Sequence, residues 1–261
     1  MAEMLPAQRQ QRIIDRLNTD GQVRVNELAA ALGVSDMTIR RDLTELEGRG
    51  ALVKVHGGAT LEAAATSLEP GFAAKLQRES AEKAAIAELA VTMIRPGMSV
   101  ALNSGTTTFA LAKRLAGIQD LTVVTNSPRI ADVLWQADDA GQTVILTGGV
   151  RTPSDALVGP LALSALSRLH VDLCFMGVHG VTLEDGFTTP NMLEAQTNQA
   201  FIACAAQVAV LADHTKWGTT GLSQIAPVTG ADYLFSDGGL PEKARTGLRR
   251  VIDVVQTAPA A

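Results

Sequence analysis

Several features are scarce or missing in this sequence, and each absence excludes a class of protein. The two cysteines, Cys174 and Cys204, lie in apolar stretches away from other ligand-type residues, so we expect no disulfide framework and no metal or redox centre. No apolar run approaches the roughly 18 residues of a membrane span. The beginning, MAEMLPAQRQQR, lacks the apolar region of an export signal. These absences predict a soluble cytoplasmic protein that needs no cofactor, metal or membrane.

Residues 26–61 have the order helix, turn, helix and strand pair that is typical of a winged helix-turn-helix, which inserts one helix into the DNA major groove. Gly33 can adopt the left-handed conformation that ends a helix over Glu27–Leu32, and the Ser35 hydroxyl can cap the next helix. That second helix carries an apolar stripe, which must pack against earlier apolar residues. The stripe consists of Ile39, Leu43 and Leu46, and its expected partners are Ile13, Ile14, Leu17, Leu28 and Leu32.

The same spacing leaves Met37, Arg41 and Thr44 facing outward, with Thr38 and Arg40 on the flanks of that face. In helix-turn-helix proteins the beginning of this face contacts base edges and phosphates. Arginine suits both contacts, because its planar fork can bind guanine or phosphate at two points. The helix is therefore predicted to read DNA.

A strand pair, Leu52–Val55 and Ala59–Leu61, follows this helix and flanks the turn His56-Gly57-Gly58, where two glycines allow positive φ angles. Lys54 and His56 would project toward the sugar-phosphate backbone. A simpler alternative is a helical pair and hairpin that only pack on a larger domain, but the order and spacing favour DNA. The candidate DNA-binding residues are Ser35, Met37, Thr38, Arg40, Arg41, Thr44, Lys54, His56 and Gly57.

Residues 1–61 carry no net positive charge, because they contain eight basic and eight acidic side chains. A formally neutral head predicts weak non-specific binding, and hence a need for two heads on paired half-sites of double-stranded operator DNA. We therefore expect a homodimer or homotetramer.

The remaining sequence alternates apolar runs with helix-like stretches, which predicts an α/β fold with a largely parallel sheet. We expect a DNA-binding domain over residues 1–61, a linker with a short docking helix over 62–79, and an α/β domain over 80–261. The α/β domain begins with a helix over Ala81–Ile94. The predicted strands lie in Met98–Leu102, Leu121–Val124, Thr143–Leu146, Asp172–Phe175, Val208–Leu211 and Tyr233–Phe235.

Small, polar or glycine-rich turns follow these strands, and a parallel sheet gathers such turns at one edge, where ligands bind. In Asn103–Thr108, Gly105 permits close backbone approach and the threonines open a helix whose unpaired amides can hold a phosphate. Lys216 can add a cationic contact. In the alternative interpretation, Thr106 or Thr107 only caps a helix over Thr108–Leu115. Neither a Walker motif nor a dinucleotide fingerprint is present, so we expect a small phosphorylated ligand.

The run VSDMTIRRDL followed by VHGGA resembles the signature of the DeoR family of bacterial transcriptional regulators. The resemblance implies a repressor whose carboxy-terminal domain binds a phosphorylated sugar and has a fold similar to ribose-phosphate isomerases and CoA transferases. It also implies control of genes for sugar catabolism or uptake.

Further family motifs match position by position. The family loop Asp-x-Gly-Thr-Thr matches here except that Asn103 stands where an aspartate is expected, which bears on any charged contact to a sugar hydroxyl. The TNS element matches Thr125–Ser127, and the D-x-S/T-K element matches Asp213 to Lys216. The candidate effector-binding residues are Asn103, Ser104, Gly105, Thr106, Thr107, Thr108, Asn126, Ser127, Gly149, His179, Asp213 and Lys216.

An enzyme remains the alternative at this point. A sugar-phosphate isomerase would use Asp213 or Glu194 as a general base, which must lie within hydrogen-bond reach of the substrate proton. No motif establishes that geometry, so we assign no catalytic residue. Glu194 and Asp155 can instead accept bonds from sugar hydroxyls or lie on the surface, and Trp135 is expected to pack.

Overall fold

The computed structural model describes residues 5–20, 22–49, 51–55, 57–60, 71–137 and 141–259. The chain divides into two compact units, Met1–Leu68 and Glu69–Ala261. Residues 62–70, half of the expected linker over 62–79, lie outside the described ranges together with residue 61, so the predicted end of the DNA-binding domain at residue 61 stays a prediction. Within the described residues, no helix is both long and apolar enough to cross a membrane.

The first unit packs three helices against a small antiparallel sheet with strand order β1-β3-β2. Its helices are α1 (Pro6–Asp20), α2 (Val25–Leu32) and α3 (Asp36–Gly48), and its strands are β1 (Gln22–Arg24), β2 (Val53–Val55) and β3 (Gly58–Thr60). The predicted stripe of α3 is buried in one cluster with the partners expected from α1 and α2. Strand β1 is an addition to the prediction, since its three residues are too few to show a strand period.

Both predicted boundaries of the turn before α3 are confirmed. Gly33 ends α2 with a φ of 65°, and its N–H bonds to the carbonyl of Ala29. Ser35 caps α3, because its hydroxyl accepts a hydrogen bond from the N–H of Thr38 at 3.2 Å. These local signals fix where α3 starts, and the buried stripe fixes which face it turns outward.

The two glycines of the wing have different roles. Gly57 takes the positive φ of 82° that the turn requires. Gly58 belongs to β3, and a Cβ atom there would lie 2.0 Å from the carbonyl oxygen of Val23. The expectation that both glycines form the turn is therefore wrong for Gly58, which is needed for close approach to β1.

The second unit is built on a seven-stranded parallel sheet with the order β15-β14-β12-β9-β4-β5-β6. Apolar clusters cover both faces of this sheet, as expected for a buried parallel sheet. The strands are β4 (Ser99–Leu102), β5 (Thr122–Thr125), β6 (Thr143–Leu146), β9 (Val171–Gly177), β12 (Ala205–Leu211), β14 (Tyr233–Ser236) and β15 (Val254–Thr257). The predicted α/β architecture and its six strands are confirmed, and β15 is a further strand.

Helices and short antiparallel strands complete the second unit. The helices are α4 (Phe72–Gln77), α5 (Ser80–Val91), α6 (Thr106–Leu115), α7 (Pro128–Gln136), α8 (Pro160–Leu166), α9 (Met192–Ala203) and α10 (Glu242–Leu248). One small sheet joins β10 (Gly180–Thr182), β11 (Gly186–Thr189) and β13 (Ser223–Ala226), and β7 (Val150–Arg151) pairs with β8 (Leu157–Val158). The packing role expected for Trp135 is wrong, because this side chain on α7 is 73% exposed.

Candidate functional site

The outward face of α3 is exposed in the way that DNA reading requires. Met37 is 79% exposed, and the Arg41 side chain is 84% exposed. Arg40 and Thr44 are exposed as well, while Thr38 is partly buried. The face therefore presents one flexible apolar side chain, two guanidinium groups and a hydroxyl to whatever lies in front of it.

A hydrogen bond joins the wing to this face. Lys54 Nζ donates to Thr44 Oγ1 at 3.0 Å, and the Thr44 hydroxyl donates to the carbonyl of Arg40 at 2.8 Å. Two candidate residues that are ten positions apart in sequence thus form one polar surface. His56 lies outside the described residues, and Gly57 is exposed at the turn.

Two candidate residues at the start of α3 already have structural partners. The hydroxyls of Ser35 and Thr38 lie 2.8 Å apart and bond to each other, in addition to the cap. Any hydrogen bond from these hydroxyls to DNA would have to replace the bonds that they make at the helix start. Their contribution to DNA binding stays a prediction.

In the second unit, the carboxyl ends of β4 and β9 form the switch point of the sheet. After β4, the chain adds β5 and β6 on one side of β4, and β9 then pairs with the other side. The loops after β4 and β9 therefore diverge at this place. Such a crevice is where open α/β sheets bind ligands. Asn103, directly after β4, is buried and spans this crevice.

The Asn103 side chain makes three hydrogen bonds across the switch point. Its Nδ2 donates to the carbonyl of Gly177 at 2.8 Å and to Asn198 Oδ1 at 3.1 Å. Its Oδ1 accepts from the N–H of Gly177 at 2.8 Å. Two of the three bonds need an amide nitrogen as donor. Aspartate, the residue expected from the family pattern, could not make these two bonds.

The loop after Asn103 is held to the neighbouring strand ends. The N–H of Ser104 donates to Asn126 Oδ1 at 2.8 Å, and the Ser104 hydroxyl donates to the carbonyl of Ser154 at 3.3 Å. Asn126 also donates to the carbonyl of Leu157 at 3.0 Å. The structure thus brings together Asn103, Ser104 and Asn126 from the predicted effector site.

Helix α6 begins at this loop without a side-chain cap. Gly105 is its N-cap residue, so the alternative in which Thr106 or Thr107 caps the helix is wrong. Both threonines lie inside the first turn and are buried, and their hydroxyls make no hydrogen bond within the part of the chain that the structure describes. The Thr108 hydroxyl differs, because it donates to the carbonyls of Asn103 and Gly105 at 2.7 and 3.0 Å. The open N–H groups of this turn suit an anion.

Asp213 and Lys216 form a second group, after β12. Asp213 Oδ1 accepts from the N–H of Thr215 at 3.1 Å, and the N–H of Lys216 donates to the carbonyl of Asp213 at 3.0 Å. Asp213 is 1% exposed. Among the described residues, no hydrogen bond or ion pair connects Lys216 to the loop at 103–108.

Sequence reasoning missed Lys83, a buried cation beside Asp213. Its Nζ lies 3.9 Å from Asp213 Oδ2, an oxygen that accepts no hydrogen bond within the described ranges. Burial lowers the pKa of Lys83, while the Asp213 carboxylate acts in the opposite direction. A lysine on a helix is usually solvated, so no sequence signal marked this one.

Sequence reasoning also undervalued α9, which carries Glu194 and Asn198 on one face. Glu194 is buried, and its Oε1 accepts a hydrogen bond from Thr152 Oγ1 at 2.5 Å and another from the Ser154 hydroxyl. Because Ser104 also binds Ser154, this carboxylate lies near the candidate effector loop. The i, i+4 spacing on α9 was the signal that could have identified the pair.

Asp155, the possible sugar-hydroxyl acceptor, and His214, which follows Asp213 in the chain, both have partners within the protein. Burial raises the pKa of Asp155, but hydrogen bonds from Arg129 and Arg151 outweigh this effect and lower it. His214 Nδ1 lies 2.8 Å from Asp237 Oδ2.

Three other candidate effector residues take part in the local fold. A Cβ on Gly149 would lie 2.5 Å from the carbonyl oxygen of Val158, so the glycine permits that approach. Ser127 caps α7, and the N–H of His179 donates to the carbonyl of Thr188 at 3.1 Å. Their role in ligand binding stays a prediction.

Comparison with known proteins gives a family match for each unit. Residues 9–64 match the DeoR-like helix-turn-helix domain, and residues 78–238 match the DeoR C terminal sensor domain. The chain is 36% identical to a putative aga operon transcriptional repressor of Escherichia coli O157:H7, over 94% of this chain and 91% of that protein. It is 37% identical to the HTH-type transcriptional regulator GlpR of Haloferax volcanii, over 93% of this chain and 94% of that one.

Among solved structures, a ribose 5-phosphate isomerase A from Methanocaldococcus jannaschii is similar with a TM-score of 0.40 and 16% identity. The similarity covers 53% of this chain and 55% of that one.

Proposed function

Because the chain belongs to the DeoR family of transcriptional regulators, we propose that it is a repressor of genes for sugar catabolism or uptake and that a phosphorylated sugar releases it from DNA. It acts in the cytoplasm as a homodimer or homotetramer on double-stranded operator DNA. The isomerase alternative is not retained, because the relatives are named as regulators and repressors.

The observation that carries the proposal is the outward face of α3. A helix whose one side is buried by an apolar stripe and whose other side exposes Met37 and Arg41 has the geometry of a major-groove reader. Lys54 of the wing, bonded to Thr44, extends that surface toward a phosphate strand. Arg41 would read a base edge, and Lys54 would set the position of the helix.

The effector half of the proposal is supported by the switch point of the second unit. The uncapped start of α6 offers N–H groups to a phosphate, and Gly105 lets the phosphate approach the backbone. Ser104 and Asn126 fix the loop, so these donors are arranged before the ligand arrives. Hydroxyls of the sugar would then face polar side chains at the neighbouring strand ends.

Effector and operator oppose each other through linkage. If the phosphorylated sugar lowers operator affinity by some factor, the operator must lower the affinity for the sugar by the same factor. The sugar would favour an arrangement of the protein in which two heads no longer match their half-sites. An unchanged effector affinity in the presence of operator would contradict this mechanism.

The direct test is footprinting on the DNA around the gene for this chain, repeated with a panel of phosphorylated sugars. We expect one or more protected sites with paired half-sites, and we expect one class of phosphorylated sugar to remove the protection. The unphosphorylated sugars serve as controls and should leave the footprint intact. Protection that no phosphorylated compound alters would overturn the effector half, and the absence of any protected site would overturn the repressor half.

A further inference from the structure

Two cations on the outward face of α3 and its wing, Arg41 and Lys54, are each paired with a glutamate of α3. Arg41 Nε lies 3.6 Å from Glu45 Oε1, and Lys54 Nζ lies 3.8 Å from Glu47 Oε2. The positive charges of Arg41 and Lys54, which would attract phosphate, therefore each have a carboxylate beside them. We refer to Glu45 and Glu47 together as the glutamate pair of α3.

The glutamate pair occupies both flanks of the outward face. Glu45 follows Thr38 by seven residues, and Glu47 follows Arg40 by seven. Each glutamate therefore lies about two helical turns closer to the end of α3 than Thr38 or Arg40, on the same side of the helix. Thr38 and Arg40 are on opposite sides of the face centred on Arg41. The two carboxylates consequently point to opposite sides of a helix inserted in the groove.

A helix in the major groove has a phosphate strand on either side, and duplex DNA carries about one negative charge per 1.7 Å of its axis. Carboxylates on both flanks are repelled by those strands and also compete with them for Arg41 and Lys54. This local arrangement agrees with the equal number of acidic and basic residues over 1–61. The helix can thus enter the groove only at an electrostatic cost.

Packing does not explain the glutamate pair. The side chains of Glu45 and Glu47 are 44% and 42% exposed, and exposed ion pairs contribute little to stability. Among the described residues of this unit, Arg9 and Asp42 form a different ion pair, which is buried. Glu45 does accept a hydrogen bond from Gln10 Nε2 at 2.8 Å, and Glu47 accepts one from the N–H of Lys54 at 3.1 Å, but a glutamine can accept both.

We propose that the glutamate pair of α3 is a charge restraint that weakens phosphate-driven binding by a single head, so that stable binding requires base contacts and two heads acting together. The inference rests on the proposed function, because it assumes that α3 faces DNA. A weak single head makes occupancy depend on the second head, whose binding benefits from its high local concentration. The charge of the two glutamates, rather than their size, sets this dependence.

The test measures binding of the full chain to a duplex of about 30 base pairs with mixed sequence and no protected site. Glu45→Gln, Glu47→Gln and the double variant are compared with the unmodified chain over a series of salt concentrations. Each single variant should bind about five- to tenfold more tightly at about 0.1 M salt, and the slope of log K against log salt should steepen by about 0.9 for each charge removed. The gains should shrink as the salt concentration rises.

Glu88→Gln is the matched control. Glu88 forms an exposed ion pair with Arg114 in the second unit, so this variant loses the same charge from a unit that does not contain α3. Its affinity for the duplex should stay equal to that of the unmodified chain. An equal gain in the control would show that only net charge matters and would overturn the restraint.

Glu47→Ala separates charge from anchoring. Glutamine retains the acceptor for the N–H of Lys54, whereas alanine removes it. If charge is the cause, both variants bind the duplex more tightly; if only the alanine variant changes, Glu47 merely anchors the wing and the inference fails. Equal melting temperatures of the unmodified chain and the glutamine variants show that folding is unaffected.

The failure of this inference can be told apart from the failure of the proposed function. A chain that binds no duplex even at low salt, and protects no site, contradicts DNA binding itself. A chain that binds DNA but whose glutamine variants keep the same affinity and salt slope contradicts only the restraint. A loss of affinity in those variants would contradict it as well.

Discussion

The ammonium group of Lys83 lies 3.9 Å from the carboxylate of Asp213, and both side chains are buried. Lys83 Nζ also donates to the carbonyl of Lys75 at 3.1 Å and to that of Arg78. One buried cation therefore connects α4 and the segment after it to the strand end that carries a predicted effector residue.

Replacing Lys83 by methionine should destabilise the second unit by about 3–5 kcal/mol, because it leaves the Asp213 charge buried without a partner. The double variant Lys83→Met with Asp213→Asn should recover part of this loss, since neither charge remains. Both tryptophans, Trp135 and Trp217, belong to the second unit, so tryptophan fluorescence during urea unfolding reports on it. Strictly additive losses would show that the two side chains do not interact.

Arg41→Ala should weaken operator binding by about 1–3 kcal/mol if the guanidinium binds a base edge at two points. Effector binding should be unchanged, because Arg41 belongs to the first unit. Fluorescence anisotropy on the footprinted duplex and calorimetry with the releasing sugar measure the two affinities. Equal losses of both would indicate misfolding or a wrong assignment of the reading surface.

Lys216→Ala should affect binding of the sugar and not binding of the operator. The variant should bind the operator normally but resist release by the phosphorylated sugar, since a cationic contact to the anion is lost. The dose of sugar needed to remove the footprint is the measurement, and Lys113→Ala on the exposed side of α6 is a charge-matched control. A normal dose response in the Lys216 variant would assign the anion contact to another residue.

Thr107→Val and Thr108→Val form a matched pair on α6. The Thr107 hydroxyl makes no hydrogen bond among the described residues, so its loss should cost little stability and should weaken binding of the phosphorylated sugar. The Thr108 hydroxyl makes two backbone bonds, so its loss should destabilise the second unit by about 1–3 kcal/mol. Thermal unfolding and calorimetry on both variants test the contrast, and unchanged sugar affinity in Thr107→Val would remove that hydroxyl from the site.

Asn103→Asp should also destabilise the second unit, by about 1–3 kcal/mol, although it restores the residue of the family pattern. Aspartate offers no N–H to the carbonyl of Gly177 and places a second acceptor opposite Asn198 Oδ1. Urea unfolding followed by tryptophan fluorescence measures the change. Stability equal to that of the unmodified chain would mean that the switch point repacks around either residue.

The sequence predicted the first unit well because its signals are local. Gly33 and Ser35 mark the helix boundaries through their own conformational preferences, and the stripe on α3 is visible as a period. The alternation of the second unit likewise predicted its sheet. These features depend on residues close together in the chain.

The missed features all depend on contacts between distant segments. Lys83 is buried where α4 and the end of β12 both approach α5, and Glu194 meets Ser154 across 40 positions of sequence. The exposure of Trp135 depends on which segments pack against each face of α7. The i, i+4 spacing of Glu194 and Asn198 is visible in the sequence. No local pattern encodes which distant segments these side chains meet, so composition and periodicity could not reveal the contacts themselves.

Gly105 and Gly177 approach each other closely at the switch point, since a Cβ on Gly105 would lie 3.7 Å from the Cα of Gly177 and 3.0 Å from Thr108 Oγ1. A larger residue at position 105 would therefore have to displace the Thr108 hydroxyl, which binds the carbonyls of Asn103 and Gly105. We expect differences in ligand preference to come instead from the side chains around this close contact, among them Glu194 and Asn198 on α9. Such differences would leave the contact between the two loops unchanged.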